Sequence, residues 1–371
     1  MNRLRIAAFG FRTIPPTEGA AGADKFAMEL YPRLVQKGHS VVAYNREYPN
    51  VKVKIKDYKG VKIKTFRTVH TRGFDTFLHS LRCTFDIIFH NTADVVHIQN
   101  GGNSIWALPL RLFGKKVFIS QDGIDWKRSK WPWYGKVYLR LSAYITAYFP
   151  TEIIFDNIFA KRFFEKKFKK QFQYIPFGSE VTPVSEDDSI LEKYGLTKGD
   201  YYLFVGRFIP DKGLHYLVPA FLQSKSKKKL VLVGGPPNPS KYEQHLREIA
   251  GENVIFAGYV YGDDVIRLMI NSYVYIQPSD VEGLSPVILS VMRLGVPLIV
   301  SDIEENEFAV QGTAVKFKRG DILSLQEKID FAEDNYAFMK ELANRARQRA
   351  LTEFNWERVA DEHITVFYEK K

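Results

Sequence analysis

Apolar residues in this chain come in short runs, separated by longer stretches in which they recur every three or four positions. The first half holds the runs LRIAAFG (4–10), HSVVAYN (39–45), DVVHIQN (94–100), KKVFISQDG (115–123) and TEIIFDN (151–157). Short runs rich in β-branched and aromatic residues and bounded by Gly or Asn predict strands. Between them, ADKFAMELYPRLVQKG (23–38) and FDTFLHSLRCTFDIIFHN (74–91) have helical spacing. In VKVKIKDYKGVKIKTF (51–66) lysines alternate with apolar residues at period two, which predicts a hairpin with one solvated, basic face. The pattern restarts after the polar stretch VTPVSEDDS (181–189), with YYLFVG (201–206), KKLVLVGG (228–235), NVIFAGYV (253–260), SYVYIQPS (272–279) and VPLIVSD (296–302). Strands interleaved with helices predict doubly wound, mostly parallel α/β sheets. Two series predict two Rossmann-like halves, residues 1–180 and 181–352. A closing helical stretch at 353–371 is expected to pack back on the first half.

Composition narrows the class. At 371 residues the chain is too long for one ordinary core. With 45% hydrophobic and 26% charged residues it is globular and not disordered. The single cysteine, Cys83, excludes an internal disulfide and a cysteine-based zinc cluster, which points to a reducing, cytoplasmic setting. The opening MNRLRIAAFGFRTIPP reads as a first strand and turn, not a signal peptide. No stretch approaches the roughly 20 apolar residues of a spanning helix, so any membrane contact is expected to be peripheral. Residues 1–180 hold 30 Lys and Arg against 14 Asp and Glu, whereas the remainder holds 23 against 28. Such asymmetry implies that the first half faces something anionic, unless the lysines only solubilise it.

The candidate chemistry begins at VGRFIPDKG (205–213). Arg207 and Lys212 lie at the end of the second half's first strand, just before the helical stretch GLHYLVPAF (213–221). Two cations on one turn repel each other, and a helix start presents free N–H groups, so an anionic guest is expected there. A guanidinium fork and an ammonium point charge suit a diphosphate whose charge grows during reaction. In PSDVEGLSPVILSVMRLGVPLIVSD (278–302), Glu282 and Gly283 stand at a strand end before a helix start. Backbone N–H groups from Leu284 to Val287 are expected to point at the ligand, and a carboxylate there can accept from sugar hydroxyls.

These strings, together with RLGVP and SDIEEN (301–306), resemble glycosyltransferase family 4, the retaining enzymes of GT-B fold that use nucleotide-sugar donors. In the first half DGIDWKRSKW (122–131) and GFRTIPPTEGAAGADKF (10–26) resemble segments of a subgroup that includes bacterial rhamnosyltransferases. FNWERVADEH resembles the family's closing segment. The resemblance covers nearly the whole chain. It implies two Rossmann-like domains facing across a cleft, the first binding the acceptor and the second the nucleotide sugar. Residue by residue, it implies that Arg207 and Lys212 hold and stabilise the departing diphosphate and that Glu282 holds hydroxyls of the transferred sugar. Gly283, Leu284 and Ser285 bound the donor loop, and Tyr259 and Val260 stand where the base is held. Gly22 lets backbone approach the donor phosphate or the acceptor. Asp122 stands beside the reacting sugar, where many relatives place a histidine, although an Asp-Gly pair is also a common turn. Acceptor contacts are expected from Asp24, His97, Asp125, Trp126 and Arg128; His97, on the buried strand DVVHIQN, also reads as only a satisfied strand-end histidine. Ser290 departs from the pattern, standing where the family has a second glutamate for the ribose. That change agrees with a thymidine nucleotide such as dTDP-rhamnose, or with a noncatalytic paralogue. Ala21 and Asp24 replace the more usual Gly and Glu.

No Asp-X-Asp string stands at a strand end, and Asp187-Asp188 and Asp263-Asp264 read as solvated turn or helix-start acids, so no metal or other cofactor is expected. IFAKRFFEKKFKKQFQ (158–173) is read as one helix with Phe159, Phe163, Phe164, Phe168 and Phe172 on a single face and cations around it. It suits either packing on its own sheet or an anionic membrane surface. Trp131, Trp133 and Tyr134 form a second aromatic cluster near cations, suited to sugar stacking or to a membrane interface. A lipid-linked saccharide at the inner face of the cell membrane satisfies both features. The rival readings are a sugar-nucleotide epimerase or hydrolase of the same architecture and a nucleic-acid binder. No helix-turn-helix or zinc pattern supports the latter, and no Gly-X-Gly-X-X-Gly supports a dehydrogenase.

Overall fold

The structure, a computed structural model, describes residues 3–15, 22–47, 55–69, 74–127, 132–181, 183–236 and 240–369. The chain divides into two compact units, one of residues 1–177 with 356–371 and one of residues 178–355.

The first unit is built on an eight-stranded sheet. Its strands are β1 (Arg5–Phe9), β2 (Ser40–Glu47), β3 (Asp57–Tyr58), β4 (Val61–Arg67), β5 (Val95–Gln99), β6 (Lys116–Gln121), β7 (Glu152–Phe155) and β8 (Gln173–Tyr174). They lie in the order β3-β4-β2-β1-β5-β6-β7-β8. Every pair is parallel except β3 with β4. β5 is buried along its whole length, as a strand covered by helices on both sides must be. β4, next to the edge, keeps the alternation seen in the sequence: Val61 and Ile63 are buried, whereas Lys62 is exposed. Lys64 turns its ammonium to Asp86 at 2.6 Å. Of the lysine-rich hairpin, residues 51–54 lie outside the described residues.

The helix Trp356–Glu369 belongs to this unit and packs on the helix Gly22–Gln36. Phe26 meets Trp356 and His363 at 5.7 and 5.6 Å between ring centroids. At the rim of that contact, Arg33 and Lys37 pair with Glu357, and Lys37 also with Asp361. One expectation is corrected here. The helix read over 158–173 runs only from Ile158 to Phe168, because Lys169 adopts a left-handed conformation with φ of 54°. Asn157 opens it, its side chain accepting from Phe159 and Ala160 N–H. Phe164 and Phe168 enter a core with Trp126 and Phe155, and Phe172 reaches the same core from beyond the helix. That cluster therefore packs on its own sheet. The structure also has a helix at Trp133–Tyr148, which the sequence pattern does not announce.

The second unit carries six strands: β9 (Tyr201–Arg207), β10 (Lys229–Gly235), β11 (Val254–Gly258), β12 (Val274–Gln277), β13 (Leu298–Ser301) and β14 (Val315–Phe317). All pairs are parallel, in the order β11-β10-β9-β12-β13-β14. From β9 the chain first winds outward through β10 and β11, then returns to β12 on the other side. The reversal makes the carboxyl ends of β9 and β12 the unit's topological switch point, where such sheets take their ligands. The apolar runs of the sequence form the core behind it, with Phe204, Leu217, Leu232, Val274 and Ile299 among its members. Asp187 and the pair Asp263-Asp264 stand at helix starts, as expected: Asp187 Oδ1 accepts from Ser189 N–H at 2.9 Å, and the other two open the helix Asp263–Ile270.

Candidate active site

Arg207 is the last residue of β9 and is exposed, with Gly235, the last residue of β10, beside it in register. The chain then turns through Pro210–Lys212 into Gly213, which opens the helix Leu214–Gln223. Gly213 has φ of 68°, and a Cβ there would stand 2.0 Å from the carbonyl oxygen of Pro278. Only glycine permits that backbone and that approach. The turn after β9 is thereby pressed against the turn after β12, and Asp280 N–H donates to Asp211 O at 2.9 Å to seal the contact.

The close approach brings Lys212 to Glu282, and their side chains form an ion pair. The sequence suggests separate tasks for these residues; in the structure they touch. Three donors converge on one carboxylate oxygen, Glu282 Oε1: Lys212 Nζ, Gln277 Nε2 at 2.5 Å and Ser279 Oγ at 2.7 Å. Oε2 has no hydrogen-bond partner among the described residues. Gln277 is itself held, its Oε1 accepting from Tyr275 OH at 2.7 Å. Ser279 is positioned from behind, because Ser301 Oγ donates to its carbonyl at 2.6 Å and Asn306 Nδ2 supports Ser301 Oγ at 2.9 Å. This gives the string SDIEEN its structural task. Gln277, Ser279 and Ser301 are all buried, so each fixes the next without competition from water.

The arrangement has definite chemical capacity. An ammonium carries three donors, so one proton given to Glu282 leaves two for an anion. Glu282 Oε2 can accept from a hydroxyl while Oε1 stays saturated. Nearby, burial raises the Glu305 carboxyl above the usual carboxylate range, and the charges of Glu304 and Glu282 add to that rise.

The remaining donor residues differ in openness. Ser285 is buried and caps the helix Pro286–Leu294, its Oγ accepting from Ile288 N–H at 3.4 Å. Its hydroxyl is thus engaged at the helix start, and Pro286 has no N–H, so the row of donors expected from Leu284 to Val287 is interrupted. Gly283 and Leu284 are half-buried on the same loop. Ser290 gives its hydroxyl proton to Pro286 O, 2.9 Å away. Tyr259, past the end of β11, is 53% exposed and donates to Pro236 O at 2.9 Å. Its ring lies against Gly235, where a Cβ would come within 2.9 Å of it. Tyr259 therefore lies beside the end of β10, next to the strand that carries Arg207. Val260 follows it, half-buried.

In the first unit the expected residues separate into open and enclosed. Asp122 follows β6 and is exposed. Gly22 is exposed at the start of its helix, where a Cβ would meet nothing within 4 Å. Asp125 is half-buried, 3.5 Å from Gln121 Nε2. Three others are corrected as surface contacts. Asp24 is buried, and its Oδ1 accepts from the N–H groups of Arg12 and Thr13 at 2.6 and 3.2 Å, which shapes the turn after β1. His97 is fully buried between Tyr31 OH at 3.2 Å and Ser120 Oγ at 2.8 Å. Trp126 is buried against Phe163 and Phe164, with Lys167 Nζ 4.8 Å from its ring centre. In each case the polarity or aromaticity seen in the sequence serves the core. Arg128, Ala21 and Trp131 lie outside the described residues. The site residues that sequence reasoning misses are Gln277 and Ser279, whose only signal is a polar residue ending an apolar strand.

Residues 186–349 match the family model of glycosyl transferases group 1, and residues 98–180 match that of a domain of unknown function, DUF1972. An uncharacterised glycosyltransferase of Methanocaldococcus jannaschii is 28% identical over 172 residues, 44% of each chain. The O-antigen chain mannosyltransferase C of Escherichia coli is 26% identical over 210 residues, 54% of this chain and 56% of that protein. The chain thus spans about half the length of the curated relatives it matches. Among solved structures, a sucrose-phosphate synthase from Thermosynechococcus elongatus superposes with a TM-score of 0.82 at 21% identity, covering 98% of both chains. Anabaena HepE in complex with UDP superposes with a TM-score of 0.78 at 13% identity, covering 98% of this chain and 99% of that one. At such identities the likeness is one of fold, and the fold is GT-B.

Proposed function

We propose that the protein is a retaining glycosyltransferase that moves a hexosyl group from a nucleoside-diphosphate sugar, dTDP-rhamnose or a UDP-sugar, to a saccharide acceptor. The observation that carries this reading is the Lys212–Glu282 pair beside Arg207 at the carboxyl ends of β9 and β12. It lies within the segment that matches glycosyl transferases group 1, and a protein of the same fold has been solved with UDP. Arg207 and the two uncommitted protons of Lys212 bind the diphosphate. Glu282 Oε2 accepts from hydroxyls of the transferred sugar, and backbone groups at Gly283 to Ser285 border it. Tyr259 and Val260 hold the base, and Ser290 makes a short, neutral contact to its pentose. In the first unit, backbone at Gly22 approaches the donor phosphate or the acceptor, and Asp122 orients a sugar hydroxyl or helps to deprotonate the acceptor.

The reaction follows from those charges. The bond from the anomeric carbon to the diphosphate oxygen breaks as negative charge grows on that oxygen, which Arg207 and Lys212 stabilise where it develops. The acceptor hydroxyl attacks on the same face, the new glycosidic bond forms, and the hydroxyl proton passes to the departing phosphate oxygen. Nucleoside diphosphate is released and the anomeric configuration is retained. No metal is assigned a step in this scheme.

The acceptor is a saccharide, lipid-linked, of cell-surface polysaccharide synthesis on the inner face of the membrane. Support comes from relatives named for O-antigen and capsular polysaccharide synthesis and from the basic first half. Thermal-shift titration with UDP, dTDP, GDP and their sugars tests the donor assignment. A ligand at 100 times its Kd stabilises by about 2.7 kcal/mol, and Arg207→Ala or Lys212→Ala is expected to weaken binding by about 10- to 100-fold. Failure of every nucleoside diphosphate to shift the wild-type transition would overturn the reading.

A further inference from the structure

The helix Trp133–Tyr148 turns the usual amphipathic rule inside out. The side packed into the first unit presents small residues, with Ser142, Ala143, Thr146 and Ala147 buried beside Leu139. The large apolar groups face solvent: Trp133, Tyr134, Val137, Leu141, Tyr144 and Tyr148, with Trp133 77% and Leu141 61% exposed. They recur at three- and four-residue steps, so they form one stripe along about four turns. Solvated helix faces are ordinarily polar, and an unbroken apolar stripe marks a surface made to be covered.

The charge around the stripe identifies what covers it. From residue 126 to residue 151 the chain holds five basic residues and no acid. Lys136 and Arg140 lie on the helix itself. From the neighbouring helix Ile158–Phe168, Lys167 Nζ lies 5.3 Å from the Tyr144 ring centre, and from just past its end Lys170 Nζ lies 4.4 Å from that of Tyr148. We propose that this face docks on an anionic lipid bilayer, with the helix lying in the plane of the headgroups. Trp and Tyr rings favour that depth, and aliphatic Val137 and Leu141 enter the acyl boundary while cations beside them meet lipid phosphates. A helix of 16 residues is about 24 Å long, too short to cross and suited to lying flat. A second copy of the chain is the poorer occupant, since two equally basic faces repel. A nucleic acid would leave Val137 and Leu141 without a partner. The proposal goes beyond the donor reading and deepens the reading of a membrane-borne acceptor, and it is argued from the exposure and charge of this face.

The test is flotation of the full chain with vesicles of phosphatidylglycerol and phosphatidylcholine, compared with phosphatidylcholine alone, at low and high salt. Binding to the anionic vesicles is expected, weakened at least tenfold by high salt or by removing the anionic lipid. The variants Trp133→Ser/Leu141→Ser and Lys136→Glu/Arg140→Glu are each expected to lose about tenfold in partitioning while keeping the wild-type melting temperature, since all four side chains lie outside the core. Wild-type partitioning by both variants would overturn the proposal. So would absence of binding to anionic vesicles, or a dimer in sedimentation that the Trp133→Ser/Leu141→Ser variant dissolves. Nucleoside-diphosphate binding, measured on the same samples, separates failure here from failure of the donor assignment.

Discussion

Gln277 links Tyr275 to Glu282 through its two amide atoms, which makes it a positioning residue for the site. Replacing it by Leu keeps the volume but removes a hydrogen bond to a carboxylate, worth about 1.5–3 kcal/mol. Gln277→Leu is therefore expected to lower kcat about tenfold or more, while KM for the acceptor changes little. Initial rates with saturating donor check this, and an unchanged kcat removes Gln277 from the site. The place of Arg207 and Lys212 at the end of one strand, and of Glu282 in the loop after another, was legible in the sequence because they follow apolar runs. The contact between Lys212 and Glu282 was not, since it joins residues 70 positions apart through a close approach at Gly213. Asp24, His97 and Trp126 show the converse. A polar or aromatic residue beside a turn looks the same in sequence whether it faces solvent or braces the loop from within.

Among the elements, the turn at 207–213 is the most constrained, because the position of Lys212 depends on it. Gly213→Ala places a side chain in a left-handed conformation and drives its Cβ into Pro278 O. A cost of about 2 kcal/mol or more is expected, read as a lower urea midpoint, together with weaker nucleotide binding as Lys212 moves from Glu282. The central strands were recognisable to within a few residues, since parallel strands buried on both faces leave unbroken apolar runs, whereas the short strands β8 and β14 were not read. Helices were less so. The stretch 158–173 kept helical spacing past the true end, where Lys169 turns left-handed and Phe172 reaches the core without being helical. The helix Trp133–Tyr148 went unseen for a different reason. With small residues inside and large apolar ones outside, it lacks the one-sided pattern by which a helix is recognised.

For the molecule as a whole, pH acts through histidines buried in the first unit. Burial lowers His363 to about 4 and His79 to about 3, the latter helped by the charge of Arg46, and drives His97 well below its ordinary value with His363 adding to the fall. The folded protein thus refuses protons that the unfolded chain accepts below about 6.5, so stability present at neutral pH declines as pH falls from there towards 4. Each such histidine contributes a slope of about 1.4 kcal/mol per pH unit in that window. His363→Phe keeps a ring against Phe26 and Phe367 and is expected to remove one such slope, measured as the urea-unfolding free energy at pH 7, 6 and 5. An unaltered slope would show that His363 does not titrate between the two states. The central strands and several of the helices between them, the restart near residue 180, the basic first half and the cationic turn after β9 were determined by the sequence itself, because each is read from composition or from residues within a few positions of one another. Sheet order, the Lys212–Glu282 contact, the enclosure of His97 and Trp126 and the outward face of Trp133–Tyr148 were decided only by the tertiary structure. They depend on which segments distant in the chain close upon each other, and local periodicity carries no record of that choice.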